Sequence, residues 1–422
     1  MPDCYFMVPF TKTFHRLRVI GLTSLIVVSV VLFGCKSDKD GDRVEDAKDE
    51  CDNARGVAVD ANGCPCVDSA TLPEPLPIAA VRMYVDNSGS MRDFTNPTSL
   101  FRSTISECIS RIQKMKTDNI ADTVRYHLIA SSLLHTDYNI LYKAIRTGDI
   151  MKAKSTPILS MIEQVQRRHE AQDISVLVSD FELSEKDADN LDLALKTDVL
   201  AQIAKHNAVG LYAFREKSVD RPYYVMVIGT SASVLLFDRE GGLRDYRHKI
   251  FLGVKYPVPE IAFLNYSQRD ETTWFISQDF CRTIEDASLA GKGYIQFAMG
   301  LDLKKYEGLQ LDSVYLTKNT LIKDVDPQHV AMRWYTAHQF KNLADEKEAE
   351  QLSTYSHVVV VKLHRLFENT NKYFFELAKA QDFERFYGSD PSMQALVHGF
   401  REAYRGDTGP YFSVKLNIVK EQ

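Results

Sequence analysis

The sequence predicts an α/β fold with a doubly wound, mostly parallel sheet, followed by a β-rich or α+β domain. Three observations predict it. From Ile78 onward, apolar runs of strand length alternate with amphipathic helical stretches, the pattern of parallel strands covered on both faces. Two of the apolar runs end abruptly in an acid, at Asp86 and Asp180. Past Gly241 the alternation gives way to a series of β-rich segments.

Each element follows from its own pattern. Ile78 to Val85 is the first strand, and Thr98 to Met115 is a helix with Phe101, Ile105, Cys108, Ile112 and Met115 on one stripe. Thr123 to Ala130 is a strand, and Ser155-Thr156-Pro157 opens a helix that runs through Arg168. Ile174 to Ser179 is a buried strand, Asp189 to His206 a helix and Ala208 to Phe214 a strand. Tyr223 to Val227 reads as a further strand and Ser231 to Phe237 as a weaker one. Beyond them, Ile261–Tyr266, Thr273–Ile276, Tyr294–Met299, Ser313–Leu316, Val330–Tyr335, His357–Leu363 and Phe412–Val419 have strand composition, while Ser392 to Tyr404 reads as a helix. A separate domain over 242–422, with a sandwich as its expected architecture, accounts for these segments.

With 422 residues, 45% hydrophobic and 26% charged, the chain is long enough for two or three domains. Its net charge of −6 argues against nucleic acid as a partner, because phosphate binding needs a basic face. His15, Arg16 and Arg18 precede the apolar run Val19 to Phe33, which is short for a membrane span and has the layout of an export signal. The run closes on Leu32-Phe33-Gly34-Cys35, which resembles a bacterial lipobox. That resemblance implies a signal over 1–35, a lipid on Cys35 and membrane attachment through it. Lys36 is not the aspartate associated with inner-membrane retention, and the acidic tract after it is similar to surface-export signals of bacterial lipoproteins. The expected location is the bacterial outer membrane, lipid-anchored and facing outward.

The strand ending at Val85 runs into Asp86-Asn87-Ser88-Gly89-Ser90, three small oxygen-bearing side chains at alternate positions. Such spacing on a curling backbone aims the oxygens at one point, which suits a hard cation. Asp-x-Ser-x-Ser after an apolar strand resembles the first metal motif of von Willebrand factor type A domains. Thr156 before Pro157 and Asp180 after Val-Leu-Val-Ser resemble the family's remaining two motifs. The resemblance covers 78–241 and implies a metal-ion-dependent adhesion site. Ser88, Ser90 and Thr156 are then direct ligands, and Asp86 and Asp180 hold bound water. Few carboxylates and several hydroxyls suit Mg2+ or Mn2+ with one octahedral place left for an acidic side chain of a protein partner. The family often has glycine after its last aspartate, where this chain has Phe181-Glu182.

Between the lipid and that domain, 36–77 is an acidic tether ending in a proline-rich linker. Asp38, Asp40, Asp42, Asp46 and Asp49 fall at loop positions one, three, five, nine and twelve, with the Val44 carbonyl at seven. This is the oxygen arrangement of a Ca2+ loop. Together with the stretch Asn53 to Pro65, it is similar to a thrombospondin type 3 repeat, although Arg43 stands where such loops prefer glycine. An exported chain meets an oxidising compartment, so Cys51 and Cys64 are the expected disulfide. Cys66 competes for the same partner, and the sequence leaves that connectivity open.

The chain has no Gly-x-Ser-x-Gly elbow, no phosphate-binding loop ending in Lys-Ser/Thr and no His-Glu-x-x-His helix. The expectation is therefore a lipid-anchored binding protein rather than an enzyme. Two alternatives compete with it. A metal-dependent hydrolase would need a base beside the ion, for which Glu182 is the local candidate. A structural subunit of an envelope assembly would use the metal for stability alone.

Overall fold

The computed structural model describes residues 38–39, 44, 46–47, 49–51, 59–60, 63–65, 77–148, 151, 153, 158–182, 198–265, 274–289, 292–306, 309, 311–341, 352–367, 372–379, 386–388, 390–404 and 409–421. The expected export signal over 1–35 lies outside them. Among the described residues no helix is long and apolar enough to cross a membrane.

The first sheet has seven strands: β1 (Ile78–Asp86), β2 (Ala121–Ile129), β3 (Leu133–Thr136), β4 (Asp173–Ser179), β5 (Ala208–Glu216), β6 (Arg221–Gly229) and β7 (His248–Leu252). Their order is β3-β2-β1-β4-β6-β5-β7. β1 runs parallel to β2 and β4, and every other neighbouring pair is antiparallel. The expectation of a mostly parallel sheet is corrected here: the sheet is mixed. The cause is local. β5 turns into β6 through 217–220, a connection too short for a crossover helix, so the two strands form a hairpin. β6 then inserts between β4 and β5.

Strand residues point alternately into two apolar layers. Met83, Val85, Val176, Val178, Tyr223 and Val225 face one side with α1 (Leu100–Thr117) and α2 (Tyr138–Thr147). Tyr84, Leu177, Leu211, Tyr224 and Met226 face the other with α3 (Ile158–Gln166) and α4 (Asp198–His206). The segment read as a weak strand at Ser231–Phe237 is instead α5 (Ser231–Glu240), on the first side. Thr230 caps it by accepting from the Ser233 N–H at 3.1 Å, a start signal that overrides strand composition. Likewise Ser313–Leu316 belongs to α6 (Ser313–Asn319), which Asp312 caps at the Tyr315 N–H, 2.7 Å.

The second side is completed from far along the chain by α7 (Pro391–Ala403). Its Met393, Leu396, Val397 and Phe400 pack with Leu200 and Ile203 of α4. Asp390 caps it through the N–H groups of Ser392 and Met393 and also accepts from the Tyr224 hydroxyl of β6 at 2.8 Å.

The remaining strands are β8 (Ile261–Leu264), β9 (Phe275–Ile276), β10 (Thr283–Ala287), β11 (Ile295–Leu301), β12 (Thr320–Ile322), β13 (Val330–Thr336), β14 (His357–Leu363), β15 (Lys372–Leu377) and β16 (Phe412–Lys420). They form a five-stranded sheet, β12-β15-β16-β10-β9, and a four-stranded one, β13-β14-β11-β8. Trp334 of β13 lies 6.2 Å from Phe375 of β15, ring to ring, so aromatic side chains join the two sheets.

The acidic tether is tied to this region. Cys51 and Cys64 are disulfide-bonded, and Val59 bridges to Pro65. The Cys281 N–H donates to the Val59 carbonyl at 3.1 Å, and Lys415 pairs with Glu50 at 2.7 Å.

Candidate metal centre

β1 lies centrally because it is apolar on both faces, and its parallel partner β4 ends at the same edge of the sheet. The two terminal acids therefore meet at the carboxyl ends of adjacent strands, where α/β sheets gather ligands. Asp86 is 2% exposed and Asp180 5%. Asp86 Oδ1 accepts the Ser88 N–H at 2.8 Å, which curls the chain just past the strand. The Ser88 and Ser90 hydroxyl oxygens lie 2.9 Å apart, and Ser90 is hydrogen-bonded to the Asp180 carboxylate.

Four of the five expected site residues are thus brought together: Asp86, Ser88, Ser90 and Asp180. Thr156 lies outside the described residues. Ala153, three positions before it, forms a parallel bridge with Ser88, donating to the Asn87 carbonyl at 3.0 Å and accepting from the Gly89 N–H at 2.7 Å.

Burial pushes the Asp180 carboxyl up to about 6, reinforced by the charge of Asp86 and opposed by Ser90, the Glu182 N–H and Arg221. Phe181 takes φ +47°, the left-handed conformation in which glycine is at ease and a bulky side chain is not. Its N–H donates to Ser179 Oγ at 2.9 Å, and its buried ring packs 6.1 Å from that of Tyr224. The chain therefore makes a glycine-like turn after Asp180 with a phenylalanine, held by core packing.

Two partners of the site were missed by sequence reasoning. Ser179 donates its hydroxyl to Asp86 Oδ2 at 2.7 Å, hidden in the sequence as the last residue of a buried strand. Arg221, first residue of β6, places Nη2 3.0 Å from Asp180 Oδ2 and 2.7 Å from Glu182 Oε2, with Nη1 3.8 Å from Asp93. Its guanidinium lies 5.4 Å from the centre of the Phe94 ring. No sequence signal announces it, because it reaches the site only through the inserted hairpin. Glu216 fixes the root of that hairpin's turn to the start of α1. Burial alone would raise its carboxyl, yet the N–H groups of Phe101, Ser218 and Leu100 and the Ser218 hydroxyl hold it below the usual range.

The donor set fits a small hard cation. Its oxygens are the hydroxyls of Ser88 and Ser90 and the carboxylates of Asp86 and Asp180. Adjacent ligands of an octahedron with bonds of about 2.1 Å stand about 3.0 Å apart, and the two serine oxygens, hydrogen-bonded to each other, stand 2.9 Å apart. An ion there would meet Ser88 and Ser90, with Asp86 and Asp180 supplying charge.

The expected Ca2+ loop is described in part. Asp46 Oδ1 accepts the Lys39 N–H at 2.8 Å, Asp49 Oδ1 accepts the Cys51 N–H at 3.0 Å, and Val44 is buried. Asp38 is exposed, and Asp40 and Asp42 lie outside the described residues. Asp60, buried and also missed, closes the following turn by accepting the Cys64 N–H at 3.1 Å.

The chain matches no known protein-family profile. No curated protein and no solved structure matches it either.

Proposed function

We propose that this is a lipid-anchored envelope protein whose central domain is von Willebrand A-like and binds a partner through a divalent cation. Asp86, Ser88, Ser90, Thr156 and Asp180 hold Mg2+ or Mn2+, and an acidic side chain of the partner takes the open position. The convergence of Asp86, Ser88, Ser90 and Asp180 from two strand ends supports this reading most directly. Cys35 carries the lipid, and the outer membrane is the proposed site. The acidic tether holds Ca2+.

Calorimetric titration of Mg2+ into the full-length chain in detergent tests the reading, beside Asp86→Ala and a Ca2+-only control. Binding that is lost in the variant, with melting otherwise cooperative, is the expected result. Binding indifferent to the substitution contradicts it. A purely structural role for the network is favoured by one observation, the pairing of Arg221 with Asp180 and Glu182. In that case Asp86→Ala lowers the melting temperature in metal-free buffer, and Mg2+ leaves both proteins unchanged. The same pairing weakens the hydrolase alternative, since Glu182 is engaged as an ion-pair partner rather than a free base.

A further inference from the structure

Two buried carboxylates side by side need a cation close by, and the chain carries one of its own. Arg221 Nη2 is shared between Asp180 Oδ2 at 3.0 Å and Glu182 Oε2 at 2.7 Å. On Asp180, Oδ1 already accepts the Glu182 N–H at 3.2 Å, so Arg221 holds the other oxygen. Asp180 is 3% exposed in its side chain, whereas Glu182 and Asp93 are 58% and 62% exposed on the rim.

We propose that Arg221 is a built-in competitor of the divalent cation, neutralising Asp180 until the ion arrives and setting the affinity by having to yield to it. The inference rests on the metal-binding reading above. A doubly charged ion and a guanidinium near the same carboxylate repel one another. At about 6 Å, even the dielectric of water leaves a repulsion equivalent to about tenfold in affinity. Glu182 and Asp93 give the guanidinium partners to keep when it leaves Asp180, so yielding needs no unfolding. The guanidinium carbon lies over the Phe94 ring, 5.4 Å from its centre.

The test is calorimetric titration of Mn2+ into the full-length chain in detergent, as wild type, Arg221→Gln and Arg221→Lys. Removing the charge in Arg221→Gln should tighten Mn2+ binding about tenfold, and Arg221→Lys, which retains it, should stay near wild type. The gain should vanish in Arg221→Gln combined with Asp86→Ala. Should Arg221→Gln lose cooperative melting, Arg221→Met keeps the packed stem without the charge and serves in its place. Unchanged or weaker affinity in the uncharged variant overturns the proposal. If wild type still binds Mn2+ in an Asp86-dependent way, the metal-binding reading survives that failure. No binding in wild type and uncharged variants alike overturns both.

Discussion

Ser179 on β4 donates its hydroxyl hydrogen to Asp86 Oδ2 on β1 at 2.7 Å, with both residues buried. Ser179 Oγ in turn accepts the Phe181 N–H at 2.9 Å. One serine therefore orients the first acid of the site and anchors the strained turn after the second. Ser179→Ala leaves Asp86 short of a donor and the Phe181 N–H short of an acceptor. A hydrogen bond to a charged group is worth about 1.5–3 kcal/mol, so the variant should lose stability on that scale. Urea denaturation should give a lower midpoint with an unchanged slope. An unshifted midpoint would show that the serine does not hold the site together.

His127 of β2 is stacked on Tyr84 at 5.1 Å and tilted against His135 at 5.2 Å. Burial, followed by the charges of His135, Arg168, Arg82 and Arg125, pushes its pKa down to about 4. In the unfolded chain it titrates near the ordinary value of about 6.5. Between those values the unfolded state binds more protons, so stability rises with pH across this window. The contribution is complete above about 6.5 and is lost as pH falls toward about 4. Asp180, raised by burial, works in the opposite sense but is common to both proteins compared here. His127→Phe should flatten the fall in melting temperature between pH 7 and pH 4.5, and parallel curves for the two proteins would contradict the assignment.

Cys281 is disulfide-bonded, and its partner lies outside the described residues. Cys51 is paired with Cys64, while Cys108 is free and buried, with its thiol pushed up to about 12 by burial. With Cys4 and Cys35, both inside the expected signal over 1–35, set aside, Cys66 is the cysteine that remains. It follows Pro65, which bridges to Val59, whose carbonyl accepts the Cys281 N–H. Non-reducing peptide mapping should therefore recover Cys66 joined to Cys281, with Cys108 alkylated only after unfolding. A free Cys66 in the native protein would rule out this second tie. The contact behind this expectation joins Val59 to Cys281, 222 residues apart in the chain (281 − 59), between the tether and the start of β10.

What could be read in the sequence, and what could not, divides along the same line. Periodicity located β1, α1, β2, β4 and β5, because each buries a continuous or regularly spaced apolar face. The oxygen-bearing site residues were legible because their spacing after a strand is local chemistry. Helix α2 went unread although Asp137 caps it at the Ile140 N–H, 2.8 Å, and Gly148 ends it at φ +72°, both visible in the sequence as start and stop residues. Strand β6 was legible as a strand but not as an insertion, since nothing local says that it pairs with β4 on one edge and with β5 on the other. That insertion delivers Arg221 to Asp180, so the partner missed in the site and the departure in the sheet have one cause. The docking of α7 was illegible for a similar reason: its amphipathic face is plain, but nothing local says which sheet it covers.

An anomalous-difference map from crystals of the protein grown with Mn2+ tests the central claim most directly. A single strong peak within about 2.1 Å of both Ser88 Oγ and Ser90 Oγ, with Arg221 moved off Asp180, is the predicted result. Density with Arg221 still on Asp180 and Mn2+ bound elsewhere on the protein would contradict it.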